Sequence, residues 1–288
     1  MANKTPQNDE FYIGYLPEAP GSFAKTVRRF IVFVFVLAGV VAFVLVNNQK
    51  GFRNSTFELG QLTEVQGILS SDPVPMLKVP AGTGVDGQPN YKSFMLIGFG
   101  KFGAEATLTA MEASTGETLE GKLLTLEGTL IYYNGKTLLE LTNSEAALKK
   151  VDDAPQLISQ QKNLGTQSFR GEIADPKCFF GVMKPGEGKP HRSCAIRCIS
   201  GGIPPVFKTS TADGLEQYFI LTGLNGEKIN QAVLNQVGKA VEVSGKVEQI
   251  DDWLVLRIDP EKNIQATHPE LLGSIQMCDP AQLALDQD

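Results

Sequence analysis

Gly121-Lys-Leu-Leu-Thr-Leu-Glu-Gly128-Thr-Leu-Ile-Tyr-Tyr-Asn134-Gly135-Lys-Thr-Leu138-Leu-Glu-Leu141 aligns without a gap on Gly238-Lys-Ala-Val-Glu-Val-Ser-Gly245-Lys-Val-Glu-Gln-Ile-Asp251-Asp252-Trp-Leu-Val255-Leu-Arg-Ile258. In both stretches apolar residues alternate with polar ones, the pattern of half-buried strands, and Asn134-Gly135 or Asp251-Asp252 marks a tight hairpin. Upstream, Ser93-Phe94-Met-Leu96-Ile-Gly98 matches Tyr218-Phe219-Ile-Leu221-Thr-Gly223. Further upstream, Gln66-Gly67-Ile-Leu69-Ser-Ser-Asp72-Pro73 matches Arg170-Gly171-Glu-Ile173-Ala-Asp175-Pro176 with one residue of slippage. Three blocks in the same order define an internal repeat.

Each copy places a helix-like segment between its second and third blocks, 104–113 and 228–236. Glycines at 67, 128, 171 and 245 fall where a strongly bent strand needs room. Strands, a helix and a closing hairpin make an OB-like barrel. The sequence therefore predicts a mainly β protein with a first OB-like barrel at 55–150 and a second at 168–265. A polar, Gln-rich linker at 151–167 joins them, and a tail follows at 266–288. From Gly67 to Phe94 copy one runs 27 residues, whereas copy two runs 48 from Gly171 to Phe219. The excess of about twenty residues predicts an insertion that protrudes from the second barrel over 178–210.

Ahead of the repeat, Phe30 to Val46 is an unbroken apolar run of seventeen residues. With its flanks it predicts an uncleaved single transmembrane anchor at 30–48, since a polar segment of more than twenty residues precedes it and no clear cleavage site follows. Lys25, Arg28 and Arg29 lie before the run, and Lys50 and Arg53 after it. This small cationic excess predicts a cytoplasmic N-terminal segment, 1–29, in a bacterial inner membrane, with the barrels in the periplasm. The first 53 residues hold six Lys/Arg against three Asp/Glu, which leaves 20 against 29, a net of −9, for the remainder. So acidic a body argues against nucleic acid as a partner. Phe11, Tyr12 and Tyr15 lie among prolines close to the anchor. They read as headgroup-level aromatics facing the lipid bilayer, or as a docking strip on a membrane subunit. Ala38 and Ala42 form a small-xxx-small pair of the kind that seats a partner helix.

Three of the four cysteines and one of the two histidines fall in the insertion: Cys178, then His191-Arg-Ser-Cys194-Ala-Ile-Arg-Cys198. A Gly201-Gly202 stop followed by Pro204-Pro205 predicts a helix over 190–200, which brings positions 191, 194 and 198 onto one face. Thiols and imidazole together are the ligand set of zinc or another thiophilic metal, so Cys178, His191, Cys194 and Cys198 are the candidate metal ligands. An oxidising compartment favours instead a disulfide from Cys178 to Cys194 or Cys198, and redox-active thiols are the third reading. Cys194 and Cys198 cannot join each other while helical, because Cβ atoms four residues apart sit about 5–6 Å apart and a disulfide needs about 4 Å.

Several sharper readings fail on the residues. Covalent haem attachment needs C-x-x-C-H, and a Rieske cluster needs two Cys-His pairs. Gly98-Phe-Gly100-Lys-Phe-Gly103 matches a dinucleotide fingerprint, but the chain returns to an antiparallel pattern rather than a parallel crossover. No nucleophile has both a base and an orienting third group, so no catalytic residue is assigned.

An anchor followed by an extracytoplasmic OB-like barrel is similar to the haem chaperone of cytochrome c maturation, whose H-x-x-x-Y element does not follow His191 or His268. More closely, Gly171-x-Ile173-x-Asp175-x-x-Cys178, His191-x-x-Cys194-Ala195-x-x-Cys198 and Gly201-Gly202-x-Pro204-Pro205-Val206 resemble a group of short exported bacterial proteins of unknown function. That resemblance spans residues 168–260 and implies an exported module without implying a reaction. Together these features predict a non-catalytic accessory or scaffold subunit of a membrane-associated, possibly redox, complex. The alternative is a stand-alone metal-binding or thiol-redox envelope protein that uses the cysteine cluster.

Overall fold

The computed structural model describes residues 21–48, 54–84, 87, 89–142, 145–157, 159–210 and 215–268. Phe11, Tyr12, Tyr15 and Cys278 lie outside them. The chain divides into two units, 1–52 and 53–288. In the first, helix α1 (Gly21–Asn48) is longer than the anchor read from the apolar run, because residues 22–29 contain neither Gly nor Pro. Its window Phe23–Asn47 has 25 residues and a mean hydropathy of 2.9, long and apolar enough to cross a membrane. At 1.5 Å per residue that window is about 38 Å long, against about 30 Å of hydrocarbon.

The second unit is mainly β and contains both copies of the repeat. Copy one supplies β1 (Thr63–Ser70), β2 (Met76–Thr83), β3 (Pro89–Ile97), helix α2 (Glu105–Thr115), β4 (Leu123–Tyr133) and β5 (Lys136–Leu141). Copy two supplies β6 (Gln161–Ala174), helix α3 (Gly188–Ser200), β7 (Val206–Ser210), β8 (Glu216–Gly223), the single turn α4 (Asn230–Val233), β9 (Ala240–Ile250) and β10 (Trp253–Ile258). In copy one, β1 pairs with β2, β2 with β3, β3 in parallel with β5, β5 with β4, and β4 back with β1, which closes a five-stranded barrel. Strands β6–β10 repeat this set of pairings.

The registers agree residue for residue. Gly67 faces Leu124 as Gly171 faces Val241, and Phe94 lies beside Thr137 as Phe219 lies beside Leu254. The repeated glycines have one cause. A Cβ at Gly128 or Gly245 would lie 2.4 Å from the carbonyl oxygen of Glu140 or Arg257, closer than any side chain tolerates. The hairpin tips also match, with Asn134 at φ 48° and Asp251 at φ 49°, the left-handed region that Asn and Asp accept best.

The chain between the barrels is more ordered than a linker. Leu148–Asp152 is a strand on β4, and β6 starts at Gln161, inside the polar stretch, because these residues extend the ladder with β9 as far as Ile250. The insertion is also larger than the block spacing gives: residues 175–205 join β6 to β7, where 71–75 suffice between β1 and β2. A longer β2–β3 hairpin in copy one hides the difference.

The insertion does not protrude. Its Cys178, Phe179 and Phe180 are buried in a third core between the barrels, with Met76, Met95, Ile131 and Leu138 from one side and Tyr218, Ile220 and Trp253 from the other. An apolar Cys-Phe-Phe run left in solvent would forfeit on the order of 2 kcal/mol per side chain, so it packs inward. Around this core the barrels dock reciprocally. Lys78 Nζ donates to Asp251 Oδ2 at 2.7 Å and to Ser93 Oγ at 3.0 Å. Ser93 N donates to Asp252 Oδ1, and Trp253 Nε1 to Ser93 O, both at 3.0 Å. From the other hairpin, Asn134 Nδ2 donates to Tyr218 Oη at 3.2 Å. Ser93 and Tyr218 are equivalent positions of the repeat, as are the two hairpin tips, so the contact has pseudo-two-fold symmetry. Burial, the largest influence on Lys136, pushes its pKa down, and its Nζ lies 4.8 Å over the Trp253 ring.

The Lys78 and Asp251 side chains are 0% and 3% exposed, so neither charge has water to fall back on. Asp251→Asn keeps a residue that accepts the turn conformation but strands the ammonium. We expect it to lower unfolding free energy by about 3 kcal/mol in chemical denaturation. An unchanged denaturation midpoint would show that the pair is not sealed.

Candidate metal centre

The insertion builds its cluster from two short helical pieces. Cys178–Val182 forms a π-helical turn, closed by Met183 N donating to Cys178 O at 3.2 Å. Asp175 caps it, its Oδ1 accepting from Cys178 N at 3.2 Å. Helix α3 carries Pro190 in its first turn, where a missing N–H costs no helical bond. It ends at the Gly201-Gly202 stop read from the sequence, where Gly201 N donates to Arg197 O at 3.1 Å and Gly202 sits at φ 105°. Ala195 and Ile199 face the core of the second barrel, while Cys198 and Cys194 turn toward the third core.

The ligand atoms of Cys178, Cys194 and Cys198 all lie within 4.8 Å of one another. The Cys178 and Cys194 sulfurs are 4.0 Å apart, and all three cysteines are free. Cys178 and Cys198 are buried, and Cys194 is half-buried. His191 joins a neighbouring group instead, its ligand atom lying within 4.8 Å of those of Asp175 and Cys178, with Nε2 3.4 Å from Asp175 Oδ2. Hence the four residues read from the sequence form two groups that share Cys178, and Asp175 is a member that was not among the candidate ligands. His268 is exposed beyond the last strand, away from either group. The Cys178 thiol is pushed far up, first by its hydrogen bond with Cys198, then by burial and the Asp175 charge.

The first barrel completes the site. Lys101 Nζ donates to Cys194 Sγ at 3.3 Å, a hydrogen bond that is the main cause of the raised Lys101 pKa. Lys177, next to Cys178, forms a buried ion pair with Glu140 on β5 and also donates to Gly100 O, while Gly100 N donates to Glu140 Oε1 at 3.1 Å. The Gly98–Gly103 stretch thus serves backbone contact rather than a nucleotide. Gly103 N donates to Gly201 O at 3.0 Å, and a Cβ on Gly201 would lie 2.0 Å from Lys101 O. Beside the sulfurs opens a pocket of about 490 Å³, lined by all three cysteines and by apolar residues including Leu59, Leu62, Phe99 and Met183.

Because backbone meets backbone at Gly201, Gly201→Ala forces the barrels apart at the site. It should cost about 1–3 kcal/mol. It should also speed alkylation of Cys178 and Cys198, followed by mass spectrometry. Alkylation at the native rate would separate barrel docking from thiol burial.

No protein-family model, curated protein or solved structure matches the chain.

Proposed function

We propose that this is a membrane-anchored bacterial envelope protein that holds zinc or another thiophilic metal through the thiolates of Cys178, Cys194 and Cys198. The observation that carries this reading is the three free sulfurs within 4.8 Å of one another beside an open pocket. Thiolates about 2.3 Å from one ion sit roughly 3.8–4.0 Å apart, which matches the 4.0 Å between Cys178 and Cys194; a disulfide needs about 2.05 Å. His191 is a positioning residue. It braces Asp175, which holds the amide of Cys178. The anchor, the charge bias around it and the resemblance to exported proteins support placing the barrels in the periplasm, where a bound metal would shield the thiols from oxidation.

Metal analysis of the purified full chain should find one ion per chain. Cys178→Ser, Cys194→Ser and Cys198→Ser should each lose it, whereas His191→Ala should retain it with an affinity lower by about 10- to 100-fold. Complete loss in His191→Ala would make the imidazole a ligand. Metal-free protein with a Cys178–Cys194 disulfide would overturn the reading.

The second reading is an accessory or scaffold subunit of a membrane-associated redox complex. It is favoured by Phe102, 62% exposed and next in the chain to Lys101, since an exposed aromatic is a common anchor for a partner. Phe102→Ser should leave metal content and melting temperature unchanged and shift the protein to a smaller species in native gels of solubilised membranes. An unchanged species would remove Phe102 from any interface.

A further inference from the structure

The pocket of about 490 Å³ beside the sulfurs has the size of a small-ligand site, about 300–1,000 Å³, and two kinds of group line it. One is the three cysteines with Lys101. The other is an apolar wall in which Phe57 and Val182 pack against the third core, while Leu59, Leu62, Phe99 and Met183 remain 78%, 57%, 62% and 46% exposed. We propose that this pocket takes a small thiol with an apolar body, its sulfur filling the open corner of the ion and its body covering the exposed wall, a proposal that rests on the three-thiolate reading above.

The ion decides the donor. Three thiolates leave one corner of a tetrahedral ion open, and a thiophilic ion prefers sulfur there to the oxygen of water or a carboxylate. As the ligand binds, its S–H bond breaks, the proton passes to water, and a metal–sulfur bond replaces a metal–water bond. No electron changes hands. The anion so formed needs a cation beside it. Of the described charged side chains in the lining, Lys177 and Glu140 neutralise each other as a buried pair, which leaves the ammonium of Lys101. It already donates to Cys194 Sγ at 3.3 Å. That hydrogen bond is the largest influence raising its pKa, and the charges of Cys194, Cys198 and Cys178 add to it, so Lys101 stays charged beside the sulfurs.

The walls decide the body. A hydrophilic thiol would leave Leu59, Leu62, Phe99 and Met183 in water, whereas an alkyl or aryl group takes them out of it. Each methylene so buried raises affinity by about 4-fold.

The test loads the full chain, in detergent and under argon, with cobalt(II), whose absorption reports its donors. 1-Hexanethiol, ethanethiol, glutathione, 1-hexanol and hexanoate are titrated in turn, with free concentrations measured after partition into the detergent. Hexanethiol should intensify the sulfur-to-cobalt absorption with the ion retained, and bind at least about 10-fold more tightly than ethanethiol. Glutathione, hexanol and hexanoate should leave the spectrum unchanged at the same concentrations. Phe99→Ser, which touches no ligand, should weaken hexanethiol by about 10-fold and leave cobalt content and ethanethiol affinity as they were. A cobalt-loaded protein whose spectrum no thiol alters overturns the proposal and leaves the three-thiolate site standing, as does removal of the ion by hexanethiol. Equal affinity for ethanethiol and hexanethiol would overturn the apolar body, and equal binding of hexanoate would overturn the thiol. If the chain takes up no cobalt, the three-thiolate reading falls and the proposal with it.

Discussion

Each barrel has strands that are apolar on both faces, and this constraint governs the rest of the molecule. Leu77, Leu96 and Leu139 fill the first barrel, while their neighbours Met76, Met95 and Leu138 point the other way. A barrel with such an outer wall would present a contiguous apolar patch to water, so it needs a cover. The second barrel supplies one with Tyr218, Ile220 and Trp253. Lys78 lies within this wall, and its ammonium is tolerated because the partner's hairpin brings Asp251 to it. A pair this dry adds little over apolar packing, but it admits only a carboxylate opposite the ammonium and so discriminates against shifted dockings.

A pseudo-two-fold contact has two equivalent clefts, and here they have diverged. On one side the loop after β3 meets the long insertion, and the result is a thiol-lined pocket. On the other side the loop after β8 meets the short β1–β2 connection, and the cleft of about 380 Å³ is lined by residues such as Val74, Glu105, Glu227 and Lys228. The barrels and their docking are common to both clefts. The chemistry comes from one connection, in keeping with function grafted on a scaffold.

How much of this the sequence discloses depends on how local the cause is. The repeat was legible because a glycine against a carbonyl and a left-handed hairpin tip leave fixed residue types behind, as at Gly128 and Gly245 or Asn134 and Asp251. The extent of α3 was legible from its Gly-Gly end, and its spacing brought Cys194 and Cys198 together but not His191. The fate of Cys178-Phe179-Phe180 was not, because a short apolar run does not say which surface it covers. Strand β6 begins among Gln and Asn residues, whose pairing with β9 is decided by backbone hydrogen bonds rather than by side chains. Asp175 is visible in the repeat, where Asp72 is its counterpart in copy one, but a carboxylate shared by both copies does not by itself point to the cysteine cluster. Lys101 and Glu140, distant in sequence from the thiols, carried no signal at all.

The hydrogen bond from Lys101 to Cys194 joins residues 93 apart, whereas the turn at Cys178 and the helix at Cys194 are made of contacts a few residues long. Local pieces form early and distant ones late, because a long loop must be closed before its contacts repay it. By that reasoning the turn at Cys178 and the helix at Cys194 take shape before their contact with the first barrel encloses them. That order leaves the folding chain an interval in which its sulfurs are accessible, and the docking of the barrels ends it.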